Sequence, residues 1–359
     1  MQAEAQLIAD AAPRTGEGRI PSLDGWRAVA IALVLLSHQT GALGFREAVR
    51  SVGGPVGNLG VRIFFVMSGF LITHLLLKEL DRTGRINLRG FWLKRVSRLL
   101  PSALLLMAAI YLAAALGYVR LQAPWDYVFP LTFTMNYYPW RGWYWVHLWS
   151  LSVQMQFYLV WPLLILAVGR GRVLHLSLAV LALGPIIRIA TFNLLPIWYT
   201  QGHSLETVID AFAAGALMAV LRRPLSESQL YRHFLTSPAI PALAVLVLLM
   251  NMASQYGKVL LVMAGPINLA LAVLIDRSTR ITADWWGRLL ASRPAVLLGA
   301  FSYSLYVWQQ PFVNTTTITP PPYGLILALI VSWIVYRFVE NPVALWGRKM
   351  AGRQGFEPR

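Results

Sequence analysis

Trp26-Arg27-Ala28-Val29-Ala30-Ile31-Ala32-Leu33-Val34-Leu35-Leu36-Ser37-His38 is the first long apolar run of this 359-residue chain, and it carries two groups that lipid disfavours. An ionisable side chain in such a run is costly and marks a functional site by default. The eleven-residue step from Arg27 to His38, at 100° per residue, is about three turns plus 20°. On a helix the two side chains therefore share one face, separated along the axis by roughly 16 Å. The purely structural alternative is a snorkelling Arg at the membrane surface and a His hydrogen-bonded to a neighbouring helix.

Working outward, the chain is 57% hydrophobic and 13% charged, against roughly 25% charged for a soluble domain. The fold class is all-α, a polytopic integral membrane helix bundle. Ten runs each supply about 15 to 22 mostly apolar residues, near 27–43, 59–78, 99–119, 148–168, 173–191, 205–221, 238–252, 257–275, 295–313 and 324–341, which predicts about ten transmembrane helices. No loop is long enough for a second folded domain. One membrane domain over 23–346 is expected, between tails at 1–22 and 347–359.

The net charge of +16 could suggest nucleic acid, but the placement of the basic residues argues against that partner. With the N-terminus inside, the cytoplasmic segments hold 22 Lys and Arg. The outside loops hold five, namely Arg46, Arg50, Arg120, Arg141 and Lys258. This positive-inside asymmetry predicts a multi-pass protein with both termini cytoplasmic. No cleaved signal peptide is expected, because the first twenty residues lack an apolar core followed by a small-residue site. The absence of cysteine excludes disulfides and thiolate chemistry. The six His show no metal-ligand spacing, so no metal is expected.

Two loops stand out. The basic segment 78–98 has the composition of a juxtamembrane cluster that binds anionic lipid headgroups. The outside loop 119–147 is aromatic, with Trp125, Tyr127, Tyr137, Tyr138, Trp140, Trp143, Tyr144 and Trp145. An interfacial belt and a surface for stacking on a sugar both fit it.

Six motifs in order carry a resemblance. They are Arg27 to His38 within Leu23-Asp24-Gly25-Trp26-Arg27-Ala28; Gly60-Val61-Arg62-Ile63-Phe64-Phe65-Val66-Met67-Ser68-Gly69-Phe70; Lys94-Arg95-Val96-Ser97-Arg98-Leu99-Leu100-Pro101; Ser150-Leu151-Ser152-Val153-Gln154-Met155-Gln156-Phe157-Tyr158; Ser302-Tyr303-Ser304-Leu305-Tyr306; and Tyr336-Arg337-Phe338-Val339-Glu340-Asn341-Pro342. From Ser22 to about Trp346 the chain resembles the acyltransferase-3 family of integral membrane acyltransferases.

The resemblance implies transfer of an acyl group, usually acetyl, from cytoplasmic acyl-CoA to a hydroxyl of a carbohydrate or glycoconjugate, in the inner (plasma) membrane of a bacterium. The residues accommodate that chemistry. Arg27, Arg95 and Arg98 fall near the inner surface, where guanidinium groups can bind CoA phosphates. His38 is the candidate general base or covalent acyl relay, with Arg27 its partner on the same face. Asp24 can cap that helix or orient Arg27.

The chain also departs from the family's pattern. Gln154 stands where a Glu is common, Gln309 where a His is frequent, and Val208 where an Arg is common two residues before Asp210. Gln154 is expected at the depth of His38, where it can accept a hydrogen bond but cannot stabilise an imidazolium by charge. Glu206 and Asp210, four apart on one face with Arg188 nearby, are candidates to supply the missing carboxylate or bind the acceptor; the alternative is a structural ion pair. Arg337 and Glu340 read as a structural salt bridge, and His74 and His147 as interfacial. Two rival readings remain: a transporter or flippase of a lipid-linked sugar, and a catalytically silent relative.

Overall fold

The computed structural model describes residues 20–39, 50–121, 124–195, 203–253, 259–313 and 323–353. Among the described residues the secondary structure is helical, with no strand. The chain runs through α1 (Pro21–Gln39), α2 (Arg50–Thr83), α3 (Leu88–Ala115), the short α4 (Trp125–Leu131) and α5 (Trp143–Val146), α6 (Leu148–Val168), α7 (Val173–Leu194) and α8 (Leu205–Glu227). It continues through α9 (Gln229–Thr236), α10 (Ala239–Ala253), α11 (Val259–Arg280), the short α12 (Trp285–Leu290), α13 (Arg293–Ala300) and α14 (Ser302–Trp308). Finally α15 (Tyr323–Val335) and α16 (Asn341–Arg353) are joined through a π turn at Tyr336–Glu340. Pro342 explains the wide turn: it has no N–H to donate, and its ring crowds the carbonyl four residues back.

Where described, the ten apolar runs are mainly helical, but among the described residues the count of spans is lower than expected. Among the described residues six helices are long and apolar enough to cross a membrane, or seven if α9 and α10, bent by 71°, count as one. The shortfall has physical causes. Asp24 and Arg27 lower the hydropathy of α1, Glu206, Asp210 and Arg222 interrupt α8, and the ninth run breaks at Phe301 into helices of eight and seven residues.

The more polar helices occupy the interior. Residues Ala211 to Ala219 of α8 are all buried, whereas α7, α10 and α15 expose large apolar side chains such as Ile186, Leu249 and Trp333. That is the sorting expected when the surroundings are lipid. At the centre α2 crosses α8 at backbone contact: a Cβ on Gly69 would run into the Phe212 carbonyl, and one on Gly215 into the Val66 carbonyl. Small residues allow such an approach, and helix association in a membrane depends on it. Beside the crossing, Phe212 stacks on Phe65 at 4.6 Å and on Phe157 at 4.1 Å, tying α6 to the same core. Asp24 lies in the first turn of α1 and its carboxylate meets Arg27 at 2.7 Å, so it orients that guanidinium as expected.

Gly215→Leu should disrupt the α2–α8 crossing at a cost of at least about 1–3 kcal/mol, read as a lower thermal midpoint in detergent than for a Gly265→Ala control, where a Cβ meets open space. Because the chain has no cysteine, single thiols report sidedness. An impermeant maleimide should label Tyr118→Cys in intact spheroplasts and Arg85→Cys, also exposed, only after lysis. The reverse pattern would invert the expected orientation.

Candidate active site

A cavity lies between α1, α2, α3, α6 and α14. One end is cationic. Arg27, Arg95 and Arg98 all line it, the last two placed three apart on one face of α3, whose start is set by Asn87 accepting from the Gly90 N–H at 2.9 Å. The Arg95 guanidinium lies over the Phe91 and Tyr158 rings, 5.6 and 5.7 Å from their centroids, and its Nε is buried without a hydrogen-bond partner. Among the described residues neither Arg95 nor Arg98 enters an ion pair. A buried cation left this way is costly until an anion meets it.

The middle of the cavity is apolar, walled by Phe64, Phe65, Met67 and Leu71, with one polar belt. Gln154 Nε2 donates to Ser68 Oγ at 3.0 Å and to Tyr158 Oη at 2.6 Å. Gln154 therefore faces the cavity but does not meet His38 as its hydrogen-bond partner, contrary to the expectation that this position orients the imidazole.

At the far end Ser150 and Tyr306 close the wall, their hydroxyls 2.6 Å apart. Tyr306 donates to the His147 carbonyl at 2.9 Å, and His147 Nε2 donates to the Val307 carbonyl at 3.0 Å. His147 is thus a buried clamp on α14, not an interfacial residue. Gln309, just past the end of α14, holds His38: its Oε1 lies 2.8 Å from His38 Nδ1 while its Nε2 donates to Gln310 Oε1 at 2.9 Å. An amide oxygen only accepts, so Nδ1 carries the proton and Nε2 keeps the lone pair. Trp143 meets the imidazole edge-on at 5.8 Å. His38 does not itself line the cavity; it stands beyond the Ser150 and Tyr306 end.

Asp210 and Glu206 lie elsewhere. Asp210 pairs with Arg188 at 2.9 Å, both buried, and Arg188 also donates to the carbonyls of Thr207 and Leu261 at 2.8 and 3.2 Å. This is the structural ion pair, joining α7, α8 and α11. Glu206 accepts from Tyr137 Oη at 3.0 Å. Neither carboxylate lines the cavity. The expected Arg337–Glu340 bridge is also absent among the described residues: Glu340 is buried and accepts from Ser304 Oγ, while Arg337 lies over the Phe338 ring. The π turn moves residues three apart off a common face. The contact sequence reasoning missed is Gln309 with His38; its only signal was an amide where the family often places a His.

The remaining polar residues of the fourth motif hold the aromatic loop. Ser152 Oγ accepts from Met135 N at 3.2 Å, and Gln156 donates to the Phe133 carbonyl and Asn136 Oδ1, each at 2.9 Å, and accepts from Asn136 Nδ2 at 3.0 Å. Phe133 has φ 53°, a conformation non-glycine residues adopt only when their surroundings enforce it. Nearby, Arg141 donates to His203 Nδ1 at 3.0 Å. Burial and the adjacent guanidinium push His203 down to about 3, which keeps it a neutral acceptor.

A family model described as an acyltransferase domain, acyltransferase 3, matches residues 20–339. Among curated proteins, the "Putative peptidoglycan O-acetyltransferase YrhL" of Bacillus subtilis (strain 168) is 27% identical over 378 residues, covering 94% of this chain and 57% of that protein. The "O-acetyltransferase OatA" of Staphylococcus aureus (strain NCTC 8325 / PS 47) is 27% identical over 369 residues, covering 92% and 58%. The chain thus spans less than two thirds of the length of these relatives. No solved structure matches it.

Gln156→Leu should strand the Phe133 carbonyl and Asn136 at a cost of about 1–3 kcal/mol. The expected readout is faster proteolysis within 132–141, with the rest of the bundle protected.

Proposed function

Because the chain belongs to the acyltransferase-3 family, we propose that it is a membrane O-acyltransferase that moves an acetyl group from acetyl-CoA to a carbohydrate hydroxyl. Peptidoglycan, the substrate in the name of YrhL, is the proposed acceptor class. One observation carries the reading: a single helix, α1, holds Arg27 in a cavity whose cationic end it shares with Arg95 and Arg98, and carries His38 at its other end. The three guanidinium groups suit the phosphates of CoA. The apolar middle suits its arm, with Ser68, Gln154 and Tyr158 as hydrogen-bond partners on the way.

At the far end His38 Nε2, held by Gln309 with its lone pair available, accepts the proton of the acceptor hydroxyl as that oxygen attacks the thioester carbonyl. The C–S bond breaks, the acyl C–O bond forms, and the thiolate leaves with the proton. The same Nε2 could instead attack first and carry the acetyl group as a relay; both routes use one nitrogen. The cationic end faces the cytoplasm in this proposal, a placement that the positive-inside pattern favours.

The test is transfer of label from radiolabelled acetyl-CoA to a soluble peptidoglycan fragment by protein in nanodiscs. His38→Ala should lower turnover by at least about 100-fold. Arg95→Gln should raise the KM for acetyl-CoA about tenfold or more with a smaller effect on kcat. Equal transfer by His38→Ala would remove His38 from the chemistry. Movement of unmodified sugar across the bilayer without any CoA would favour a transporter.

A further inference from the structure

The polar and aromatic cluster around Trp140 has no part in the cavity chemistry. From it we infer that the loop 137–143 and the start of α8 form a saccharide-binding subsite, which docks a pyranose ring of the acceptor glycan beside His38. The inference rests on the proposed acyl transfer only for the identity of that glycan.

Three observations converge. The loop is pinned, through Ser152, Gln156 and the enforced backbone at Phe133, so it presents a preformed surface. Trp140 stands on it 70% exposed, a planar apolar face of the kind that stacks on a pyranose ring. The loop residues on either side of it hold groups that suit sugar hydroxyls and N-acetyl carbonyls: Tyr137 binds the Glu206 carboxylate, and the Arg141 guanidinium binds His203. His203 in turn packs on Trp149 at 4.3 Å between ring centroids, which fixes the start of α8 against α6.

An interfacial belt would account for an exposed Trp but not for a carboxylate, a guanidinium and a neutral imidazole held by the same loop. The position fits the acceptor as well. Arg141-Gly142-Trp143 is continuous chain from the cluster to the ring that touches His38, so a sugar seated on Trp140 lies within a few residues' reach of the imidazole.

Binding can be measured without catalysis, by titrating a soluble N-acetylglucosamine–N-acetylmuramic acid tetrasaccharide into protein in nanodiscs and reading heat. Wild type should bind saturably, as should the lipid-facing control Trp333→Ala. Trp140→Ala and Glu206→Ala should each weaken binding about tenfold, and Trp140→Tyr, which keeps a stacking face, should recover most of it. Saturable binding in a protein that transfers no acetyl group would uphold the subsite while sinking the proposed reaction. No saturable binding by wild type, or equal affinity in Trp140→Ala and Glu206→Ala, would overturn the subsite.

Discussion

A polar side chain inside an apolar bundle has to find its partner on another helix, because neither lipid nor solvent will supply one. That constraint organises this protein. Asp210 finds Arg188 across α7 and α8, Trp161 finds Thr73 at 2.8 Å, Gln154 finds Ser68 and Tyr158, and His38 finds Gln309. Each pair ties two segments at a fixed register, and the small residues of α8 and α2 let the backbones come close enough for the pairs to form. The guanidinium cluster stands apart. Arg95 and Arg98, half-buried, enter no ion pair among the described residues, and a cation left in that state is where a ligand's charge belongs.

Much of this was legible because the signals were local. Helix rise alone put Arg27 and His38 on one face, and Arg95 and Arg98 stood out in the basic motif Lys94 to Arg98. The class of fold followed from composition. What stayed hidden depended on contacts far apart in sequence. His38 and Gln309 are separated by 271 positions, and nothing local to either says that they touch. Gln154, expected near His38 from its depth, turned instead toward Ser68 and Tyr158, because depth fixes a level in the bundle and not a direction around the helix. Glu206 and Asp210 do start on one face, yet each was claimed by a nearer partner.

The span count shows the same limit in another form. Hydropathy finds runs that lipid would accept, but α1 and α8 are shielded by their neighbours and can carry charges that a lipid-facing helix could not. Among the residues that lower their hydropathy, Asp24 with Arg27 and Asp210 with Arg188 form ion pairs, and Arg27 lines the cavity. A helix too polar to be counted as a span is here a helix at the centre.

The length of α1 constrains the chemistry more tightly than any single side chain. Close backbone approaches hold it at its start, Gly299 under Asp24 and Gly25 against Leu290, and at its middle, Gly60 against Ala30. The roughly 16 Å from Arg27 to His38 is therefore set by helix rise, with no flexible segment to shorten it. A small charged acyl donor held by the arginines would leave its acyl group at their end of the cavity, far from the imidazole. The arrangement suits a donor whose anionic groups and acyl group are far apart on a slender arm. Acyl-CoA has that shape, and the apolar passage with its single polar belt at Ser68, Gln154 and Tyr158 lies where such an arm would run.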